Sequence, residues 1–258
     1  MKKTLLLIAI IVTASVTVKY AQPVNALIEQ AQKHLRHADV VFEIDSYMKA
    51  HGLLERVLIS EEDNYIANYF LAYTDYKIAI YFRQKEDTDQ FQKYIDSSEK
   101  ILKGLIKEND HDVEALSLLG TLYGIQVSVN SELGPSLGQQ NVALTSKALA
   151  LAPENPRVLL QKGLSKLNTP EFYGGSKTDA LKYFKQSVEV FEASGQNDND
   201  INWGYLDAMA WLGITQTKLK DYQSAIKTFN KALEVEPDFA WVKYVLLPQA
   251  EDKLSVSE

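Results

Sequence analysis

The chain has 258 residues, of which 46% are hydrophobic and 24% are charged, and its formal net charge at pH 7 is −7. This composition is typical of a globular protein that is long enough to bury a continuous core. The acidic balance argues against nucleic acids and anionic membrane surfaces as partners, since both require cationic patches. The chain contains no cysteine, which excludes disulfides, thiolate metal sites and a lipid-modified cysteine.

The amino terminus has the pattern of a secretory signal peptide. A pair of lysines precedes an apolar run of 15 residues, 4–18, which a third lysine closes. As a helix this run would span ~22 Å, less than the ~30 Å hydrocarbon core of a bilayer, so a signal peptide is favoured over an anchor. We expect cleavage after residue 21, with Ala14 and Ser15 as alternatives, and a periplasmic or secreted mature chain that is no lipoprotein. Loss of the three lysines would change the formal charge from −7 to −10.

Residues 22–258 are expected to form one all-α domain. Apolar residues recur at intervals of three and four, as in Ala115, Leu118 and Leu122, which is the period of amphipathic helices. Almost no strand-like alternation is present. The pattern predicts a first helical hairpin from residues 25–40 and 44–59.

Small residues recur at one register of the following hairpins. Ala72, Gly120 and Gly163 each follow a polar or proline helix-ending position by 10 residues. The distance from the small residue to the bulky residue of the second helix is longest in the first of these hairpins. The four distances are 30 residues from Ala72 to Leu102, 25 from Gly120 to Thr145, 21 from Gly163 to Phe184 and 16 from Gly213 to Phe229. We expect the excess to lie in turns along one edge of a stack, and the polar residues 192–202 to form a mobile surface loop.

The last hairpin, residues 206–239, has the most specific pattern. It resembles the tetratricopeptide repeat (TPR), with its signature W-x2-L-G-x2-Y, then A-x3-F, then P, although Met209 and Gln216 occupy the Trp and Tyr positions. The interval of 10 residues noted above also fits the 34-residue period of this repeat. The resemblance implies a right-handed solenoid of stacked antiparallel helical hairpins. The matching residues are Leu212, Gly213, Ala225, Phe229 and Pro237, and Ala232 is a further small residue where the two helices approach.

A final helix over residues 240–254 is expected to cap the stack. Trp241, Val245 and Leu246 would cover the apolar face of the last hairpin, while charged residues near the carboxyl end would face solvent. Terminal repeats need such a polar outer face.

One predicted helix carries an unusual number of tyrosines. Tyr69, Tyr73 and Tyr76 lie at i, i+4 and i+7 on one face, which forms either a core stripe or a recognition surface. The TPR resemblance implies that first helices line a concave groove. One variant of the family binds C-terminal carboxylates through a set of Lys and Asn residues on its first helices. That set is absent from this sequence. By register the groove residues are Ile66, Tyr69, Tyr73, Tyr76, Lys77, Glu114, Ser117, Thr121, Arg157, Asp207 and Lys218.

No catalytic constellation is present in the sequence. The run Gly174-Gly175-Ser176 is similar to a phosphate cradle, but it is better interpreted as a turn with positive φ angles and a helix cap. His34 and His37 are spaced to share a metal ion, yet a zinc site requires three or four ligands, so we interpret both as solvated surface.

These observations favour a non-enzymatic, cofactor-free scaffold of the cell envelope that binds a protein or peptide on its concave face. A small-ligand carrier is the alternative, in which the insertions at residues 131–140 and 169–176 close over a solute. An enzyme is disfavoured, since no convergent titratable groups are visible.

Overall fold

The computed structural model describes residues 23–194 and 201–257, and these residues form α-helices and short helical turns without any strand. The predicted signal peptide lies outside the described residues. The helices are α1 (Val24–Val41), α2 (Ile44–Ser60), α3 (Tyr65–Gln84), α4 (Thr88–Glu108), α5 (Val113–Val129), α6 (Gln139–Leu151), α7 (Pro156–Asn168), α8 (Lys177–Ala193), α9 (Tyr205–Lys218), α10 (Tyr222–Val235) and α11 (Leu247–Ser257).

Consecutive helices pack as hairpins, and each hairpin stacks on the next. The pairs are α1 with α2, α3 with α4, α5 with α6, α7 with α8 and α9 with α10, and α11 packs on α10. The predicted all-α solenoid is therefore confirmed. Within the described part of the chain, no helix has both the length and the apolar character that a membrane span requires.

Side-chain caps fix where many helices begin. Asn64 accepts a hydrogen bond from the backbone N–H of Ala67 at 2.9 Å, and Ser176 accepts one from the N–H of Asp179 at 3.1 Å. Such a cap stabilises a helix by about 1 kcal/mol. The turn before Ser176 uses its two glycines differently from the prediction. Gly174 has φ +88°, but Gly175 is required because a Cβ there would strike the Thr169 carbonyl oxygen.

The recurring small residues lie where the helices of a hairpin approach most closely. A Cβ added to Gly163 would lie 2.5 Å from the ring of Phe184, and a Cβ on Gly213 would overlap the ring of Phe229. In the α5–α6 hairpin, a Cβ on Gly120 would meet the methyl group of Thr145 at 2.7 Å. Each glycine thus leaves room for the bulky side chain of the second helix. Ala72, Leu102, Leu212, Ala225 and Ala232 are likewise buried.

The longest insertion is not a loop, contrary to the prediction. The excess between Ala72 and Leu102 extends α3 to 20 residues and α4 to 21 residues, which meet in the short turn at residues 85–87. The other two insertions do form irregular turns. Residues 131–138 fold into a 3-10 turn and a π turn, and Glu171–Tyr173 is a 3-10 turn.

The carboxyl-terminal helix begins at Ala240, as predicted, but it is not α-helical throughout. Val242–Leu246 forms a π-helical segment, and the regular α-helix resumes at Leu247. Pro248 explains this change of hydrogen-bond pattern, because proline donates no backbone hydrogen bond and crowds the preceding turn. The π-helical segment has more residues per turn than an α-helix, which changes the side that each residue faces. Val245 is exposed and Val242 is buried in its place, so the predicted packing of Val245 was wrong.

A buried ion pair connects the first two hairpins. The Asp75 carboxylate is fully buried on α3, and Nε2 of His51 on α2 lies 3.1 Å from it. The geometry gives neither Asp75 oxygen a well-aligned hydrogen bond from the described residues, so the pair depends on charge. Burial alone would lower the pKa of His51, but Asp75 and Glu55 outweigh burial and raise that pKa above its ordinary value of 6.5.

Replacing Gly163 with alanine is expected to destabilise the fold. The added methyl group would overlap Phe184, so the free energy of unfolding should fall by about 1–3 kcal/mol. Gly104→Ala on α4 is the matched control, because nothing lies within 4 Å of its Cβ position. It should stabilise the protein by about 0.5–1 kcal/mol. Denaturant unfolding measures both, and equal effects would contradict the proposed packing.

The His51–Asp75 pair predicts a pH-dependent stability. The folded-state pKa of His51 is raised. The protonated His51 therefore adds to the free energy of unfolding below the unfolded-state pKa, and this contribution is lost as pH rises through the folded-state pKa. The stability difference between the parent and His51→Gln should therefore shrink as pH rises above the ordinary histidine pKa of 6.5. His34→Gln, which lacks such a carboxylate pair, is the control. A pH-independent difference would contradict the ion pair.

Candidate binding site on the inner face

The first helices of successive hairpins, α3, α5, α7 and α9, follow one another along one side of the solenoid. We call the side chains that they turn toward each other the inner face. Most positions that the TPR register selects lie there. Its main residues are Tyr69, Tyr73, Tyr76 and Lys77 of α3, Glu114 and Thr121 of α5, Arg157 and Gln161 of α7, and Asp207 and Trp211 of α9.

A buried ion pair joins α5 to α7 at one end of the inner face. Nη2 and Nε of Arg157 lie 2.8 and 2.9 Å from Oε1 of Glu114. The hydroxyl of Tyr69 donates to the other Glu114 oxygen at 3.3 Å, and Nη1 of Arg157 donates to the Ile201 carbonyl at 2.9 Å. Both charged groups are nearly fully buried, and such pairs are stable only when their remaining hydrogen bonds are also made. Here the bonds hold four parts of the chain together.

The segment at residues 201–204, between α8 and α9, covers the tyrosines of α3. The indole ring of Trp203 stacks on Tyr73 with ring centroids 4.3 Å apart, and its N–H donates to the Tyr69 hydroxyl at 3.2 Å. Ile201 is buried. The prediction that residues 192–202 form a surface loop was therefore wrong at both ends, since α8 continues through Ala193. Residues 195–200 lie outside the described residues.

Lys77 connects α3 to helices at both ends of the domain. Its ammonium nitrogen lies 2.9 Å from Asp39 of α1 and 3.6 Å from Asp207 of α9. The hydroxyls of Tyr47 and Tyr73 donate to Asp39 at 2.7 and 2.9 Å. Burial would lower the pKa of Lys77, but the two carboxylates raise it well above its ordinary value. Lys77 therefore stays charged, while burial raises the pKa of Asp207 despite the neighbouring ammonium.

The inner-face tyrosines act as neutral hydrogen-bond donors. Burial raises the pKa of Tyr76 to about 12, and it raises the pKa values of Tyr69 and Tyr73 well above their ordinary value of 10.0. Ionised phenolates are thus excluded at physiological pH. Their hydroxyls are available to pair with carboxylates such as Asp39 and Glu114.

The expected open groove is largely filled by the protein itself. Among the groove residues predicted by register, Tyr69, Tyr73, Ser117, Thr121 and Arg157 are buried, and their polar groups have internal partners. The Thr121 hydroxyl, for example, donates to Gln161 at 2.6 Å. Tyr69 and Tyr73 are therefore core residues. Ile66, Tyr76, Lys77 and Asp207 are partly exposed, and Lys218 is exposed. That any of these residues contacts a partner remains a prediction.

One recess stays open between α3, α7 and α9. Its enclosed volume is about 20 Å³, which is enough for a single water molecule. Two tryptophans and a tyrosine form its partly exposed rim, and Trp241 packs edge-on against Trp211 at 5.6 Å. We call this surface the aromatic recess. It is lined by Tyr73, Tyr76, Lys77, Leu160, Gln161, Leu164, Trp203, Asp207 and Trp211.

The sequence did not point to Asp39, Gln161, Trp203 or Trp211 as residues of this site. Three tryptophans in 258 residues were the available signal, since tryptophan is enriched where proteins recognise partners. Among the described residues, no group of three or more His, Cys, Asp or Glu side chains is placed to hold a metal ion.

Solved structures show the same fold. TTC0263, a thermophilic TPR protein from Thermus thermophilus, has a TM-score of 0.58 and 18% identity over 87% of this chain and 99% of that chain. The HusA haemophore from Porphyromonas gingivalis has a TM-score of 0.61 and 20% identity over 75% of this chain and 92% of that chain. No protein-family model and no curated protein matches the sequence. At these identities the likeness establishes the TPR-like fold alone.

Replacing Trp203 with alanine is expected to loosen the inner face. The change removes the stacking on Tyr73 and the hydrogen bond to Tyr69, so the free energy of unfolding should fall by about 2–3 kcal/mol. Phe172→Ala is the control, because Phe172 is 90% exposed and should change stability by less than about 0.5 kcal/mol. Urea denaturation compares the two variants. Equal stabilities would show that segment 201–204 does not pack on α3.

Proposed function

We propose that this protein is a non-enzymatic scaffold that binds a segment of a partner protein at the aromatic recess. The observation that carries the proposal is the partly exposed rim of Tyr76, Trp203 and Trp211 on the inner side of a TPR-like solenoid. Tryptophan and tyrosine provide large, rigid contact areas at low entropic cost. The paired charges of Lys77 and Asp207 lie beside these rings and offer polar contacts to a partner.

The size of the recess favours a protein surface over an enclosed small molecule. Pockets that bury a drug-sized ligand usually have volumes of about 300–1,000 Å³, whereas this recess encloses about 20 Å³. A partner would therefore contact the rim formed by Tyr76 and Trp211 without entering a cavity. Segment 201–204 already covers Tyr69 and Tyr73. These side chains are therefore held in place before a partner binds, and binding does not have to immobilise them.

We place the scaffold in the cell envelope, either in the periplasm or outside the cell. The lysine pair and the apolar run at residues 4–18 support export. Fractionation of cells of the source organism, followed by mass spectrometry of the amino terminus, tests this location. Full-length protein retained in the cytosol would contradict it.

Crosslinked capture from an envelope extract tests the binding site. A Tyr76→Ala, Trp211→Ala double variant should lose a partner that the parent protein captures, because the rim would lack both rings. Tyr244→Ala is the matched control, since this tyrosine is 70% exposed and outside the recess. Circular dichroism and melting temperatures establish that all three proteins are folded.

The three proteins distinguish the possible outcomes of this capture experiment. Capture of one partner by the parent and by Tyr244→Ala, but not by the double variant, supports the recess as the site. Equal capture by the double variant would refute the recess while leaving a scaffold role. Absence of any specifically captured protein would contradict the scaffold role itself.

A small-ligand carrier is a second candidate function, because HusA, a haemophore, has a similar fold. Titration with hemin tests this candidate directly. A ligand that binds only the native state raises the melting temperature by mass action. If the protein carries haem, hemin should therefore raise its melting temperature, and the absorption band of hemin should shift on binding. An unchanged melting temperature would argue against haem as the cargo.

A further inference from the structure

A second depression lies between α1 and α2, away from the inner face. Its volume is about 390 Å³, within the range that small-molecule sites occupy. It shares no residue with the aromatic recess. Its lining consists of Gln30 and His34 of α1 and Met48, Lys49, Gly52, Leu53 and Arg56 of α2. We call it the α1–α2 groove.

The charge of this groove is opposite to that of the whole chain. The chain has a formal charge of −7, yet the groove contains Lys49 and Arg56 and no carboxylate. No Asp or Glu among the described residues forms an ion pair with either cation. Both positive charges are therefore available to an anion from solution.

The arrangement of the lining residues indicates the shape of a matching ligand. Lys49 and Arg56 are seven residues apart, about 10 Å along the helix axis, and face the same side of α2. Gly52 and Leu53 lie between them, and nothing lies within 4 Å of a Cβ built on Gly52. The middle of the groove is thus open and apolar, while its cations lie toward both ends. A ligand that pairs with both side chains in their extended conformations is therefore elongated.

We propose that the α1–α2 groove binds an elongated small molecule with an apolar middle and a carboxylate or phosphate group at each end. The two anionic groups pair with Lys49 and Arg56, and the apolar middle lies over Gly52 and Leu53. His34 and Gln30 on the opposite wall donate further hydrogen bonds. This site does not depend on the proposed scaffold function, since it uses other residues on another surface.

Calorimetric titration with decanedioate tests this proposal. Its carboxylates are separated by about the distance between the two cations along the helix, and we expect saturable binding to the parent protein. Diaminodecane has the same length and the opposite charge, and it should not bind. Butanedioate is too short to reach both cations and should bind at least about tenfold more weakly, as for the loss of one charged hydrogen bond. Inorganic phosphate should be similarly weak.

Two glycine variants separate binding from folding. Gly52→Leu fills the groove, whereas Gly104→Leu places the same side chain on α4, where the Cβ position is also open. Both variants should be at least as stable as the parent, because leucine favours helix formation over glycine. Only Gly52→Leu should lose decanedioate binding. Lys49→Ala and Arg56→Ala should each weaken it about tenfold, while Lys33→Ala, outside the groove, should not.

Several results would overturn the proposal. These are absence of decanedioate binding to the parent, equal binding of diaminodecane, and unchanged binding to Gly52→Leu or to both charge variants. Binding of butanedioate as tightly as decanedioate would refute the elongated ligand in particular.

Discussion

The ammonium group of Lys77 lies between the carboxylates of Asp39 and Asp207, and the shape of the domain depends on this contact. The three residues belong to α1, α3 and α9, which are far apart in sequence. In an extended solenoid each hairpin contacts only its neighbours. Here a charge on the second hairpin reaches the fifth across the inner face. Side chains therefore bridge the inner face at this point.

This bridging contact helps to explain why the inner face is filled with the protein's own side chains. Once α3 and α9 are close, the segment before α9 has to cross the tyrosines of α3. Trp203 stacks there on Tyr73, and Arg157 holds the Ile201 carbonyl. What a partner can reach is then reduced to the rim around Tyr76 and Trp211. The same constraint leaves the α1–α2 hairpin at one end of the stack, where its outer surface stays free for a separate ligand.

The sequence predicted the local features of the fold well. Gly163 and Gly213 marked the close helix contacts because a 34-residue repeat places small residues at a fixed register. Caps such as Ser176 were also predictable from the sequence, because a cap depends only on residues that are three apart. The insertion after Ala72 was misplaced because the number of extra residues does not distinguish a longer turn from two longer helices. Pro248, by contrast, was a visible signal of the π-helical segment in the terminal helix.

The inner face was beyond such reasoning because its contacts are not local. Trp203 and Tyr69 are 134 residues apart, and no periodic pattern connects them. The i, i+4 and i+7 spacing of the tyrosines showed that they share a face, but burial decides their role. Tyr69 and Tyr73 are core residues under segment 201–204, and Tyr76 lies at the edge of what remains open.

A double-mutant cycle between Lys77 and Asp207 tests the bridging of the inner face most directly. Denaturant unfolding would be measured for Lys77→Met, Asp207→Asn and the double variant, with Asp39 intact. Because the two charges are 3.6 Å apart, we predict that the single effects are non-additive by about 1–2 kcal/mol. Effects that add to within about 0.3 kcal/mol would show that α3 and α9 do not meet, and the account of the inner face would be wrong.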